Sequence, residues 1–399
     1  MNDRPSETAA VHAGAFKVPA NPASSPALYQ ASSYEFEDLD DVEAIYGGTR
    51  AGRIYGRYGG PNGAQFEAAV AELEGAEAAA GAAAGMSAIG AAVATRAGSG
   101  DTVLATRDIY GGTYDLFEKD FKERGISVSY VDQTDLGAVR SALERHAPQV
   151  LYLEALTNPL MQVADLPALA ALAHDAGALV VVDATFATPV LAQPLKHGVD
   201  LVVHSVGKYI GGHGDVNAGV LAGKSELVER ARGILIRTGA VIPHFEAWLG
   251  LRGLRTLGLR MARHSASATA VAAYLAGAPG VARVHHPSRP EHPQHALAQR
   301  LYPEGTGGIV AFELEGGRAE VERFLRGLAM IALVHSFGEV ASTISYPALA
   351  SHRMFPAEIR RELGVSDATL RLSVGIERVR DITADLARAL AGLGERIRA

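Results

Sequence analysis

The sequence predicts an α/β fold, with a mostly parallel sheet in a large domain and a smaller α/β C-terminal domain. Three observations point to it. Two short apolar runs lie close together: Ala178–Val182, ending at Asp183, and Leu201–His204, leading into Ser205 and Lys208. Runs this short and this apolar read as strands buried on both faces of a parallel sheet. Upstream, strand-like and helical stretches alternate, as βαβ units require. A long helical stretch, Pro243–Gly277, then makes a natural boundary before further strand patterns.

Residues 1–55 carry scattered Pro, Ser and Gly with little periodicity and read as an N-terminal extended arm. Arms of this length usually dock on something, often a partner subunit. Residues 56–255 form the larger domain and 256–399 the C-terminal domain. A helix is expected from about Ala64 to Leu73. Residues 76–94, rich in Ala and Gly, read as a loop and a closely packed helix. Gly100–Phe117 reads as strand, glycine turn and helix; Ile126–Asp132 as a strand; Leu136–His146 as a helix. Gln149–Pro159 contains a strand ending at Glu154, and Leu166–Gly177 is an amphipathic helix with a glycine stop. A short crossover helix fits between Asp183 and Leu201. Leu227–Ile236 and Pro243–Gly277 are helical. Val284–Arg300 holds His285, His286, His292 and His295, but its prolines and its lack of acidic partners favour a polar surface loop over a metal site. Gly307–Gly316 and Ile331–Glu339 read as strands, Gly317–Gly327 as a helix, and Leu370–Glu377 as a closing strand.

At 399 residues the chain can bury a large core without staples. It has no cysteine, which excludes disulfides, thiolate metal sites and a Cys nucleophile. The net charge of −7 leaves no basic footprint for nucleic acid. The N-terminus lacks the apolar core of a signal peptide, and residues 76–94 are too weakly apolar to span a membrane. A cytoplasmic location is expected, with no nucleic-acid, membrane or metal partner.

In open α/β sheets, ligands gather at the carboxyl ends of strands. Asp183 and Lys208 both emerge there. An acid facing a ring nitrogen and a lysine amine able to link covalently to an aldehyde are the protein's side of pyridoxal phosphate (PLP) chemistry. Other residues gain meaning beside them. Tyr55 and Arg57 share one face of an extended segment, and Arg suits a phosphate, although such a pair alone is ordinary surface. Gly85 and Met86 open a helix of small residues, whose free N–H groups and dipole favour an anion. Tyr110 follows a strand's carboxyl end, where a lone Tyr is commonly packing. The turn Asn158-Pro159 is ordinary turn chemistry by itself. Arg371 sits in a β run, where Arg usually faces solvent, but its fork suits a carboxylate.

The stretch VVVDATFATPVLAQPLKHGVDLVVHSVGKYIGGHGDV resembles the cofactor-lysine region of the Cys/Met-metabolism family of PLP enzymes. The resemblance runs from Glu7–Gly14 to Leu370–Glu377. That family includes cystathionine γ-synthase, cystathionine γ- and β-lyases, methionine γ-lyase and the O-acylhomoserine sulfhydrylases. It implies PLP-dependent transferase fold type I, the aspartate-aminotransferase-like fold. It also implies a homotetramer built from dimers with shared active sites. By resemblance, Lys208 carries PLP and then acts as base, Asp183 holds the ring nitrogen, and Tyr110 stacks on the ring and transfers protons. Gly85 and Met86 cradle the phosphate through backbone amides, with Ser205 and Thr185 beside it. Glu154 and Asn158 flank the cofactor. Tyr55 and Arg57 reach the phosphate of the neighbouring subunit. Arg371 binds the substrate α-carboxylate, aided by Ser336, with His335 next to it.

Several positions depart from the family pattern. Gly60-Pro61-Asn62 stands where the family has Asn-Pro-Thr, Ala84, Ala184 and Gly207 stand where it has other residues, and Gly207 removes a phosphate-binding hydroxyl. His335 and Ile54 replace acids of the cystathionine γ-enzymes, and Gly112 replaces a cysteine of methionine γ-lyases. Neither departure favours cystathionine or methionine outright. The expected activity is γ-elimination, cleaving Cγ–S of a homocysteine-type sulfur amino acid. The alternative is γ-replacement on an acylated homoserine. Transamination and a catalytically silent PLP-binding protein are further alternatives, the latter resting on Gly207.

Overall fold

The computed structural model describes residues 7–14 and 24–394. Residues 1–6 and 15–23 of the expected arm, and 395–399 at the other end, lie outside the described residues.

Seven strands make the first sheet: β1 (Ala78–Ala82), β2 (Thr102–Thr106), β3 (Ser127–Val131), β4 (Val150–Glu154), β5 (Leu179–Asp183), β6 (Leu201–Ser205) and β7 (Gly219–Gly223). Their order is β1-β7-β6-β5-β4-β2-β3. β2 to β6 run parallel, while β7 is antiparallel to both of its neighbours. Both faces are covered, which explains the uninterrupted apolar runs. Leu151, Leu153, Val180, Val182 and Val202 belong to one core. Val150, Tyr152, Val181, Leu201 and Val203 belong to the other. Full burial of such a side chain contributes about 1.5–3 kcal/mol.

The crossover helices follow their local signals. Asp135 caps Leu136–His146 by accepting from the Ala138 N–H at 2.9 Å. Only a four-residue helix, Thr188–Leu191, and a 3-10 turn, Pro194–His197, join β5 to β6. The parallel register pairs Glu154 with Asp183, and Asp183 with Val203. The chain therefore leaves β4, β5 and β6 at one end of the sheet.

A second, smaller sheet has the order β10-β11-β12-β9-β8. Its strands are β8 (Val281–His285), β9 (Ile309–Leu314), β10 (Ala332–Leu333), β11 (Thr343–Ser345) and β12 (Thr369–Ser373). Helix Leu257–Ala276 packs against β8 and β9. The 255/256 boundary falls in the link between this helix and His244–Leu254. No described helix is long and apolar enough to cross a membrane.

Four local readings are corrected. The Ala/Gly-rich stretch is not a loop before its helix: Ala78–Ala82 is β1. Ala and Gly carry little strand propensity, but here a side chain at Gly81 would crowd Ile242, with a built Cβ only 2.5 Å from Ile242 Cγ2. The arm is not extended throughout. Helix Leu39–Tyr46 forms because Asp38 accepts from the Asp41 N–H at 2.8 Å, with Asp40 and Asp41 in its first turn. The stretch Val284–Arg300 is a surface loop only in part: β8 runs to His285, a helix starts at His295, and in the turns between them His286 is 1% exposed and His292 9%. Two of its imidazoles find partners, His285 in Glu313 on the neighbouring strand β9 and His286 in Ser288. Within Ile331–Glu339 only Ala332–Leu333 is strand. The rest turns because its polar groups bond outside the ladder: Ser336 O accepts from Arg371, and the Gly338 N–H donates to Ser373 Oγ.

Candidate active site

Lys208 lies in the turn after β6, and its Nζ donates to Ser336 Oγ at 2.9 Å. The turn bearing Ser336 comes from the smaller-sheet side of the molecule, so the two sheets meet at this lysine. Burial, and then the Arg371 guanidinium, lower the Lys208 pKa, with Glu339 opposing them. Phe337 lies under both cations, its ring centroid 5.2 Å from Lys208 Nζ and 5.1 Å from Arg371 Cζ.

Arg371 is 3% exposed at the centre of β12 and does not face solvent. Its Nη1 donates to Asn158 Oδ1 at 3.0 Å and its Nη2 to Ser336 O at 3.3 Å. Its buried Nε–H has no partner among the described residues. An unpaired buried donor costs free energy until something accepts from it, and the donor chemistry of this guanidinium edge fits a carboxylate. Burial pushes the Arg371 pKa down to about 10, which still leaves it charged at neutral pH.

Asp183 ends β5, half-buried, and Oδ1 accepts from the Thr185 N–H at 2.8 Å. The Thr185 hydroxyl accepts from the Ser205 N–H at 2.9 Å, tying β5 to β6. Beside them Glu154 accepts from the Tyr110 N–H at 2.6 Å and the Asn158 N–H at 3.2 Å. Burial raises both carboxyl pKa values, and Asp183 further raises that of Glu154. Glu154 thus holds the backbone of two neighbouring site residues. Tyr110 itself is 44% exposed. A Cβ on Gly112 would sit 2.5 Å from Tyr110 Cε1, so a side chain there would displace the ring as placed.

Gly85 and Met86 begin helix Gly85–Ala94, and the preceding Ala84 offers no side-chain cap. The first N–H groups therefore remain for another acceptor. A Cβ on Gly85 would lie 2.9 Å from Ser205 Cβ, so glycine lets the helix start approach β6. Tyr55 and Arg57 stand apart. Arg57 Nη1 donates to Ile236 O at 2.9 Å, and Tyr55 is 46% exposed. His335 is exposed, beside Ser336.

The structure brings Lys208, Ser336, Arg371 and Asn158 into one network, and Asp183, Thr185 and Ser205 into another. Sequence reasoning missed Phe337 and Glu339. Neither carries a local signal; both matter only because their turn folds onto Lys208. Among the described residues no cluster of His, Asp and Glu is placed to hold a metal.

These parts fit PLP: an amine, an acid at a neighbouring strand end, uncapped helix amides for a phosphate and an unpaired guanidinium N–H for a carboxylate. Fold and site together define a lysine-bearing PLP enzyme of α/β architecture. The chain belongs to the family of Cys/Met metabolism PLP-dependent enzymes, whose profile matches residues 7–391. It is 42% identical over 387 residues to O-succinylhomoserine sulfhydrylase of Pseudomonas aeruginosa, covering 97% of this chain and 95% of that protein. It is 39% identical over 385 residues to L-methionine gamma-lyase of Pseudomonas putida, covering 96% of each. It superposes with a TM-score of 0.92 on cystathionine gamma synthase from Xanthomonas oryzae pv. oryzae, solved with aminoacrylate and cysteine. The identity there is 36%, and the match covers 97% of this chain and 98% of that one. Its cofactor is PLP.

Proposed function

We propose that the protein removes the γ-substituent of a homocysteine- or homoserine-type α-amino acid. The observation that carries this is the network in which the Arg371 fork and the Lys208 amine converge through Ser336. A carboxylate held by Arg371 places Cα within reach of Lys208. The residues that would hold PLP are Lys208, Asp183, Thr185, Ser205, Gly85, Met86, Tyr110, Glu154 and Asn158. When bound, it supplies an electron sink for charge developing at Cα.

The chain's own groups do the rest. Asp183, as a carboxylate, would pair with the cofactor's ring nitrogen and keep it protonated. Lys208, its pKa lowered by burial and by Arg371, is suited to take the Cα proton and to help remove one from Cβ. Tyr110, 44% exposed, would give a proton to the departing γ-group. Ser336 orients the Lys208 amine.

Two fates follow departure of the γ-group. Elimination, which cleaves Cγ–S, is favoured by the methionine gamma-lyase relative. Replacement on an acylated homoserine is favoured by the sulfhydrylase relative. It is also favoured by His335 and Ile54, which offer no anion to a distal ammonium. Purified enzyme incubated with cystathionine, methionine, homocysteine and O-succinylhomoserine, with and without a thiol, separates the two. Release of 2-oxobutyrate without thiol marks elimination; strict thiol dependence marks replacement. Absence of γ-group release from every substrate would refute the proposal.

The same reading includes a homotetramer of dimers acting in the cytoplasm. Tyr55 and Arg57 do not join their own chain's Lys208 network, which is what residues serving a neighbouring subunit's phosphate would do.

A further inference from the structure

The turn that supplies Ser336 also carries an acid. Gly338, at φ +85°, packs on the lysine turn, where a Cβ would lie 2.7 Å from Tyr209 N and 3.0 Å from Lys208 C, and Ser336 and Glu339 flank it. The Gly338 N–H donates to Ser373 Oγ at 3.0 Å, and the Val340 N–H to Gly212 O at 3.0 Å. Glu339 is pinned between these anchors. A Cβ on Gly214 would lie 2.8 Å from the Glu339 carboxyl carbon, so the carboxylate packs directly against the turn that follows Lys208. Glu339 is half-buried, and among the described residues it forms no ion pair or hydrogen bond through its side chain. The charged groups acting on Lys208 are Arg371, from β12, and Glu339, from this turn. Arg260, behind the turn, is engaged by the carbonyls of Tyr209, Ile210 and Gly253.

We infer that Glu339 is a positioning residue for the reaction: its carboxylate, set beside the lysine turn by Gly338 and accommodated by Gly214, steadies the charge that Lys208 carries after taking a proton. Without it, Lys208 faces Arg371 alone, and a second cation beside a buried guanidinium is disfavoured. The opposing effects of Arg371 and Glu339 on the Lys208 pKa agree with this balance. The inference rests on Lys208 being the cofactor lysine.

The test is a pH titration of the holoenzyme's visible absorbance, which reports whether the cofactor-linked Lys208 nitrogen carries a proton. In Glu339→Gln the midpoint moves to lower pH, turnover falls about tenfold, and Glu339→Asp restores much of both. Circular dichroism and the thermal midpoint verify folding. An unmoved midpoint in a folded, yellow Glu339→Gln protein overturns the inference. Should Glu339→Gln fail to fold, Glu339→Ala is read the same way: a midpoint moved to lower pH supports the role and an unmoved one overturns it. A Lys208→Ala protein that keeps the wild-type band would instead sink the assignment of Lys208, a separate outcome.

Discussion

Arg371→Lys keeps a positive charge and removes a fork. Arg371 donates to Asn158 Oδ1 and Ser336 O, and its Nε–H remains unpaired for a ligand. A lysine ammonium has three donors on one atom and a different reach. If it keeps both internal partners, at most one donor remains for the substrate and the planar geometry is lost. Each charge-assisted hydrogen bond forfeited costs about 1.5–3 kcal/mol, which is roughly 10- to 150-fold in kcat/KM. The assay is steady-state release of the γ-group from an α-amino acid and from the matching amine that lacks the carboxylate. The wild type should strongly prefer the acid. The variant should lose roughly 10- to 150-fold on the acid and little on the amine. An equal loss on both would show that Arg371 acts through the fold and not on the carboxylate.

Tyr110→Phe should remove the proton donor proposed for the departing γ-group, so turnover should fall about tenfold with the thermal midpoint unchanged, and unchanged turnover would count against Tyr110. His286 is buried and its pKa is pushed down to about 3, chiefly by burial. The unfolded chain takes up that proton near pH 6.5, so stability is full above that value and declines as pH falls towards 3. Urea midpoints should therefore show roughly 2–3 kcal/mol lost by pH 4.5 from this group, and His286→Gln should flatten the dependence; an equally steep loss in the variant would exclude His286 as the source.

The parts legible in the sequence are those whose signal is local. β5 and β6 announce themselves as apolar runs, and Asp183 and Lys208 follow at their ends. β1 was hidden, since Ala78–Ala82 has no branched or aromatic side chain to mark a strand. The helix at Leu39–Tyr46 was hidden behind neighbouring Pro and Ser, although its Asp38 cap is readable in retrospect. His286 looked polar and is buried, because its second ring nitrogen meets the Thr306 hydroxyl, 20 residues on, which no local pattern announces. Phe337 and Glu339 could not be found at all from pattern. Their role arises when a turn between β10 and β11 folds against the turn after β6, a contact about 130 residues apart in sequence, as for Lys208 and Ser336.

The measurement bearing most directly on the whole account is Lys208→Ala, purified with added PLP and examined for visible absorbance and γ-group release together. The account predicts a folded protein that lacks the covalently held chromophore and loses turnover by at least about a thousandfold. A variant that keeps the wild-type band and turns over at the wild-type rate would contradict it.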